Sequence, residues 1–491
     1  MTGRWASASV IGGIAAVAFA VLPAAPSLPT APSDAISSGK SERPNIVVIY
    51  TDDQPVDTLA SMHTVQRELV DRGVNFTDAH VPTSTCCPSR ASLLTGLSTQ
   101  ETQVWTNWGR HGGFATFYQQ GLERDTLATR LSSVGYRTAL IGKYLNGYGS
   151  GRDREHVTGS DTYIPPGWDV WHAFAASAAR PQDNDQAFFD YSMLHRTENG
   201  RAAFRHYGST DFDYSTNVIA RLAVDTIEST DESVPLFMLL TPYAPHRPYQ
   251  TTGAYRDLAV SDPHSLPPGF ADTTGKPPWI QRLPEVSPGS ARQLRTKQIR
   301  SLAPLDDAVE AVIVTLAATN RLHNTLVVFM SDNGLTWGQF NLLGKKNYPY
   351  TTHVPLVMRW DAGPIPAGRA DGRLVSVMDV AHTLMVAAGA HPFTRDSINV
   401  ANSRATRPHL VVSAWRNRGD RSVMMPPYCG LRTSQWLYVR YRGGFEELYD
   451  TRSDRHLVHN LATASKQRQQ LTELRRSTRT LCSPTPPNFT W

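Results

Sequence analysis

Short apolar runs recur along the chain at Ile46 to Tyr50, Thr138 to Ile141, Leu236 to Leu240, Leu326 to Met330 and Pro355 to Met358. Their length and polar boundaries predict buried strands. Between them lie "LASMHTVQRELVDRG", "DTLATRLSSVG", "STNVIARLAVDTIEST", "DDAVEAVIVTLAATN" and "VMDVAHTLMVAAG", where apolar positions return every three or four residues and Gly or Asn closes several segments. These predict helices. Strands alternating with helices imply an α/β fold with a mainly parallel sheet covered on both faces. After about residue 400 the pattern changes to "HLVVSAW", "QWLYVRYRGG" and "EELYD", aromatic and β-branched runs that predict a small antiparallel sheet. The Pro- and Gly-rich residues 262–279 predict a loop over the ligand-binding edge of the main sheet.

In parallel sheets ligands bind beyond the carboxyl ends of the strands. Four apolar runs end in candidate chemistry: "NIVVIYTDD" delivers Asp52 and Asp53, "RTALIGKY" Lys143, "PLFMLLTPYAPH" His246, and "TLVVFMSDNG" Asp332 and Asn333. Singly, an Asp pair is a helix cap and "DNG" a turn. Together, three carboxylates and an amide oxygen form a hard donor set suited to Ca²⁺ or Mg²⁺ rather than zinc. Without a cation they would repel one another and raise their own pKa values. Arg90, Lys143, His246 and a lysine of "GKKNYPY" add positive charge, an arrangement suited to a tetrahedral oxyanion such as a sulfate or phosphate ester. Neither a P-loop nor a dinucleotide-binding glycine motif occurs.

At 491 residues the chain is long enough for more than one lobe. Its 48 basic and 43 acidic residues leave a formal charge of +5, too little for a general nucleic-acid grip. Arg4, an apolar run from Val10 to Leu22 and the small residues after it predict a signal peptide over residues 1–25, and hence a secreted or extracytoplasmic protein. A permanent anchor is the alternative, but the run falls short of the ~20 apolar residues of a spanning helix, so no stable membrane insertion is expected after cleavage. A Pro/Ser-rich linker follows over 26–43, then a catalytic domain over 44–400 and a C-terminal subdomain over 401–491. An oxidising compartment suits a Cys429–Cys482 disulfide. Cys86 and Cys87 remain, and neighbouring cysteines rarely satisfy relaxed disulfide geometry, so one of them invites another chemistry.

The stretch "CCPSRASLLTG", residues 86–96, resembles the sulfatase signature C-x-P-S-R followed by x-x-x-L-T-G. "NIVVIYTDDQ", "GKYLNGY", "YIPPGW", "APHRPY", "SDNG" and "VMDVAHTL" stand in that family's order, and the resemblance runs from about Arg43 to residues 447–462. It is nearest to the branch of N-acetylglucosamine-6-sulfatases, extracellular heparan endosulfatases and arylsulfatase-like proteins. The resemblance implies an alkaline-phosphatase-like α/β/α sandwich with a C-terminal α+β subdomain, in which "KQRQQLTELRRSTRTL" is a helix on the antiparallel sheet. It implies that a maturation enzyme oxidises Cys86 to formylglycine, whose hydrate attacks sulfur. It also implies one Ca²⁺ held by Asp52, Asp53, the modified Cys86, Asp332 and Asn333. Arg90 and Lys143 would then neutralise charge at the nucleophile, and His246 and Lys346 would contact sulfate oxygens, with His246 the acid for the leaving alcohol. The substrate would be a sulfated small molecule or glycan.

Three positions depart from the family pattern. Leu145 stands where many members carry a histidine, "GKKNYPYTTHVP" leaves Lys345 as an alternative to Lys346, and Leu97 replaces a common basic residue. His111 is read either as a surface group or as part of the substrate mouth. The rival functions are a same-fold phosphate or phosphonate ester hydrolase and a catalytically silent extracellular carbohydrate-binding protein.

Overall fold

The computed structural model describes residues 43–149, 162–175, 187–196, 200–262, 264–344, 347–393, 397–415 and 425–491. The expected leader, the linker up to Arg43, and both Lys345 and Lys346 lie outside the described residues. Among the described residues no helix is long and apolar enough to cross a membrane.

The main sheet is built from β1 (Asn45–Thr51), β2 (Val74–His80), β3 (Arg137–Gly142), β4 (Val170–Phe174), β5 (Tyr191–Arg196), β6 (Ala202–Tyr207), β7 (Leu236–Thr241), β8 (Thr325–Ser331), β9 (Leu356–Arg359) and β10 (Arg369–Ser376). Their order is β10-β2-β9-β8-β1-β7-β3-β4-β5-β6. The block β8-β1-β7-β3-β4 is parallel throughout. The flanks are mixed: β9 runs antiparallel to both β8 and β2, and β5 runs antiparallel to β4 and β6. The run Pro355 to Met358 is therefore a strand, but one of reversed direction, which its length and hydrophobicity cannot reveal.

Alternation along the central strands divides the core into two layers. Ile46, Val48 and Tyr50 of β1 and Leu326, Val328 and Met330 of β8 face one layer. Val47, Ile49, Val327 and Phe329 face the other. Side chains on a strand point alternately to opposite faces, so runs this continuously apolar must be covered on both. The first layer is closed by helices Cys86–Thr95, Leu127–Ser133 and Val377–Ala387, and the second by Ser215–Glu228 and Pro288–Ala318. This is the expected α/β/α sandwich. The segment "LASMHTVQRELVDRG" is not the regular α-helix its periodicity predicts: it forms a 3₁₀ turn over Val56–Ser61 and a π-helical stretch over Val65–Val70. The buried Asp306 carboxylate accepts from the Thr64 and Val65 N–H groups at 2.8 and 3.0 Å, so a partner from another helix sets the local backbone.

Four antiparallel strands, β11 (Leu410–Ala414), β12 (Tyr428–Arg432), β13 (Trp436–Tyr441) and β14 (Glu446–Asp450), make the second sheet. One face joins the first layer of the main core through Val412, Tyr428, Val439 and Tyr441. The other carries helix Arg468–Leu481 on Leu431, Tyr438 and Leu448. Cys429 and Cys482 form the expected disulfide, tying β12 to the end of that helix. Where the two sheets meet, the fully buried Glu447 accepts hydrogen bonds at 2.6 Å from each of the Tyr348, Tyr441 and Tyr449 hydroxyls. Lys276, at the end of the Pro/Gly-rich loop, lies 4.0 Å from the same carboxylate, and burial lowers its ammonium pKa to about 8. Removing Glu447 strands three buried hydroxyls and takes the carboxylate from beside Lys276, which keeps its hydrogen bonds to the Tyr449 hydroxyl and the Leu457 carbonyl. Glu447→Ala is therefore expected to lower stability by about 3 kcal/mol or more in urea unfolding, with Glu447→Gln, which keeps an acceptor, losing less.

Candidate active site

The carboxyl ends of β1, β3, β7 and β8 lie side by side, so Asp52 and Asp53, Lys143, His246, and Asp332 and Asn333 arrive at one edge of the sheet. Cys86 reaches the same edge by another route, as the first residue of the helix that follows β2. Ligand atoms of Asp52, Asp53, Cys86 and Asp332 all lie within 4.8 Å of one another, and every one of these residues is buried. The Cys86 thiol donates to Asp52 Oδ1 at 3.5 Å.

Two cations hold this charge. Arg90, one turn along the Cys86 helix, contacts Asp332 Oδ2 through Nη2 at 2.8 Å and lies 3.7 Å from Asp52 Oδ2. Lys143 pairs with Asp52 through its ammonium group. Burial opposes both positive charges, yet Asp332 and Asp52 beside Arg90, and Asp52 beside Lys143, outweigh it and raise both pKa values. Asp332 shows what is left uncompensated: burial, then repulsion from Asp52, raises its pKa to about 6 despite Arg90 and Lys143.

Backbone geometry makes the packing possible. Gly142 has φ +124°, and a Cβ there would lie 2.3 Å from the Thr241 carbonyl oxygen, so only glycine lets β3 approach β7 this closely before Lys143. Asp53 holds φ +60°, the left-handed region, and its N–H donates to Asp332 Oδ1 at 3.2 Å. Asn333 Nδ2 donates to Asp53 Oδ1 at 2.7 Å, whereas Asn333 Oδ1 is buried with no hydrogen-bond partner. A buried acceptor without a donor, beside three carboxylates, fits a hard cation better than any arrangement of protein hydrogen bonds. His246 Nδ1 lies 2.6 Å from the Arg247 carbonyl oxygen and Nε2 lies 3.5 Å from Asp53 Oδ2, so both ring nitrogens face oxygen.

Supporting residues not singled out from the sequence also emerge. Gln298, from the middle of the long helix, donates to the Asp53 and Pro245 carbonyl oxygens at 3.2 and 3.4 Å and accepts from Trp337 Nε1 at 2.5 Å. No motif marks it. The Cys87 N–H donates to Asn107 Oδ1 at 2.9 Å, and its thiol sits between the N–H and side chain of Asn146, burial raising its pKa to about 12. His111 is half-buried with its ring edge-on to Trp415, 5.3 Å between centroids. Leu145 is buried in the first core layer.

A family model described as Sulfatase matches residues 44–390. The chain belongs to the sulfatase family. This sulfatase-family chain is 32% identical over 394 residues to the extracellular sulfatase SULF-1 homolog of Drosophila melanogaster, covering 77% of this chain and 33% of that protein. It is 29% identical over 361 residues to the N-acetylglucosamine-6-sulfatase of Homo sapiens, covering 71% of this chain and 62% of that one. The chain thus spans between a third and about three fifths of the length of these relatives. A structure solved with its substrate D-glucosamine-2-N,6-O-disulfate superposes with TM-score 0.74 at 18% identity, over 90% of this chain and 98% of that one. A phosphonate monoester hydrolase of Agrobacterium radiobacter superposes with TM-score 0.66 at 19% identity, over 89% and 95%. At these identities the superpositions establish the fold, an alkaline-phosphatase-like sandwich.

Next to Lys143, the Tyr144 hydroxyl donates to Glu123 at 3.2 Å, and the Tyr163 hydroxyl donates to the other oxygen at 2.7 Å. Burial raises the Glu123 carboxyl from 4.5 to about 7. The folded protein therefore holds a proton that the unfolded chain has lost, and this contribution to stability fades as pH rises from the unfolded value through the folded one. Between pH 5 and pH 8, Glu123→Gln is expected to remove about 3 kcal/mol of pH-dependent stability loss, read by urea unfolding at each pH.

Proposed function

We propose that this protein hydrolyses sulfate esters in an extracytoplasmic compartment, using a formylglycine made from Cys86 and a calcium ion held by Asp52, Asp53, Asp332 and Asn333 with that modified residue. The observation that carries the reading is the convergence of the oxygen donors on Cys86, with Arg90 and Lys143 closing the ring. Calcium would supply fixed positive charge to a sulfate oxygen. Formylglycine would supply, as its hydrate, two hydroxyls on one carbon, one to take the sulfuryl group and one to release it.

The chain's own residues do the rest. Arg90 and Lys143 neutralise negative charge beside residue 86, and their burial keeps water from screening them. His246, held through Nδ1 against the Arg247 carbonyl, keeps its other nitrogen on the Asp53 side and carries the proton for the departing alcohol. Lys346 is proposed as a further contact to sulfate. The names of the relatives support a sulfated glycan as substrate, and an extracellular setting agrees with the predicted leader.

Peptide mass spectrometry across residues 81–96 of secreted protein is expected to find residue 86 as the aldehyde, and a wholly unmodified thiol would favour the silent binder. Aryl sulfate should turn over well ahead of aryl phosphate, with Cys86→Ala abolishing activity and Lys143→Ala lowering kcat by at least about 100-fold. The opposite substrate preference makes the phosphate or phosphonate reading the better one.

Calcium has a readout apart from turnover. Adding it to chelator-stripped protein at about 100 times its Kd should stabilise the fold by about 2.7 kcal/mol. Asp53→Ala and Asn333→Ala should lose that rise in Tm.

A further inference from the structure

The last 41 residues carry seven basic and two acidic side chains, an excess equal to the formal charge of the whole chain, +5. Four of the seven lie in helix Arg468–Leu481, and all four are arginine: Arg468, Arg475, Arg476 and Arg479. At about 100° per residue, Arg468, Arg475 and Arg479 fall within about 40° of one another, and Arg476 widens the arc to about 100°. The ridge is about 16 Å long. Leu471, Leu474 and Thr478 point the other way, into the C-terminal sheet, so the arginines stand exposed on the outer side.

Helix stability accounts for Arg479, in the last turn, but not for Arg468. Arg468 occupies the first helical position, with no acidic residue in that turn, where a positive charge opposes the helix dipole. The helix's one acid, Glu473, accepts from Gln469 at 3.1 Å rather than pairing with an arginine. Arg475 is anchored by Glu446 at 2.8 Å, whereas Arg468, Arg476 and Arg479 form no ion pair among the described residues. Arginine is the usual cation of this chain, 41 against seven lysines, so what sets this face apart is the three guanidiniums on one arc that have no ion pair among the described residues. Each guanidinium offers a planar fork of donors that matches a tetrahedral oxyanion in bidentate fashion.

We propose that this arginine ridge is a second, non-catalytic binding surface that docks a polysulfated glycan chain. The assignment of glycan rather than another polyanion rests on the sulfate-ester reading of the active site. The surface lies on the outer face of the C-terminal sheet, whose inner face packs on the main core. A polymer held there raises the local concentration of its sulfate groups at the enzyme, a benefit that a monosulfated molecule cannot gain.

The test uses full-length secreted protein and immobilised heparin eluted with a salt gradient. Wild type should be retained, and R468A/R476A/R479A should elute at lower salt, with heparin affinity at fixed salt reduced about tenfold or more. Turnover of a monosulfated aryl ester should stay within about twofold, because none of the three residues belongs to the site. Should the triple variant fold poorly by thermal melt, R476Q/R479Q, which spares the helix start, repeats the comparison. Unchanged elution of the variants overturns the proposal, as does equal retention of wild type on an unsulfated polyuronate. A protein inert toward every sulfate ester but still releasing heparin on loss of the three arginines would sink the catalytic reading and leave this surface standing.

Discussion

Three carboxylates packed within a few ångströms, away from water, cannot all stay ionised unless positive charge is built in beside them. Much of this chain is arranged around that constraint. Arg90 comes from the helix that also begins with Cys86, and Lys143 comes from a strand end that only a glycine allows to close. Even so the balance is incomplete, since Asp332 is held above the ordinary carboxylate range and Asn333 keeps an oxygen with no donor. Three carboxylates against two cations leave a net negative charge, which together with that oxygen suits a hard cation.

The same demand explains the architecture. A parallel block of strands buried on both faces gives a stiff row of carboxyl ends, and each end contributes one or two polar side chains that could not be placed in the middle of such a sheet. The C-terminal sheet is not an appendage to this row. Its inner face completes one core layer, and Glu447 binds its tyrosines to Tyr348. The residue before that tyrosine, Asn347, donates its N–H to the Ser84 carbonyl at 3.1 Å. A buried charge network in the smaller sheet is therefore mechanically continuous with the turn that leads into Cys86.

How much of this could be read from the sequence follows from burial pattern. β1, β3, β7 and β8 are doubly covered, so their apolar runs stand out, and the site residues at their ends were legible with them. Strands such as β2 and β6, "VNFTDAH" and "AAFRHY", mix exposed and buried positions and carry no comparable run. The Cys86–Thr95 helix is buried at all ten positions, which leaves no amphipathic stripe to detect. The signature residues marked this helix where periodicity could not. Gln298 was illegible for a different reason: its role depends on a helix passing beneath two loops about 50 and 245 residues away in sequence, and local pattern carries no trace of that.

Cys86 has no solvent-exposed surface. A side chain buried this completely, at the base of a ring of charges, is out of reach of another protein's active site once the sandwich has closed. On the proposed formylglycine reading, the maturation enzyme would act on the chain while it is still extended. Folding would then set a deadline, and the fraction of competent molecules would be decided by a race between tailoring and collapse.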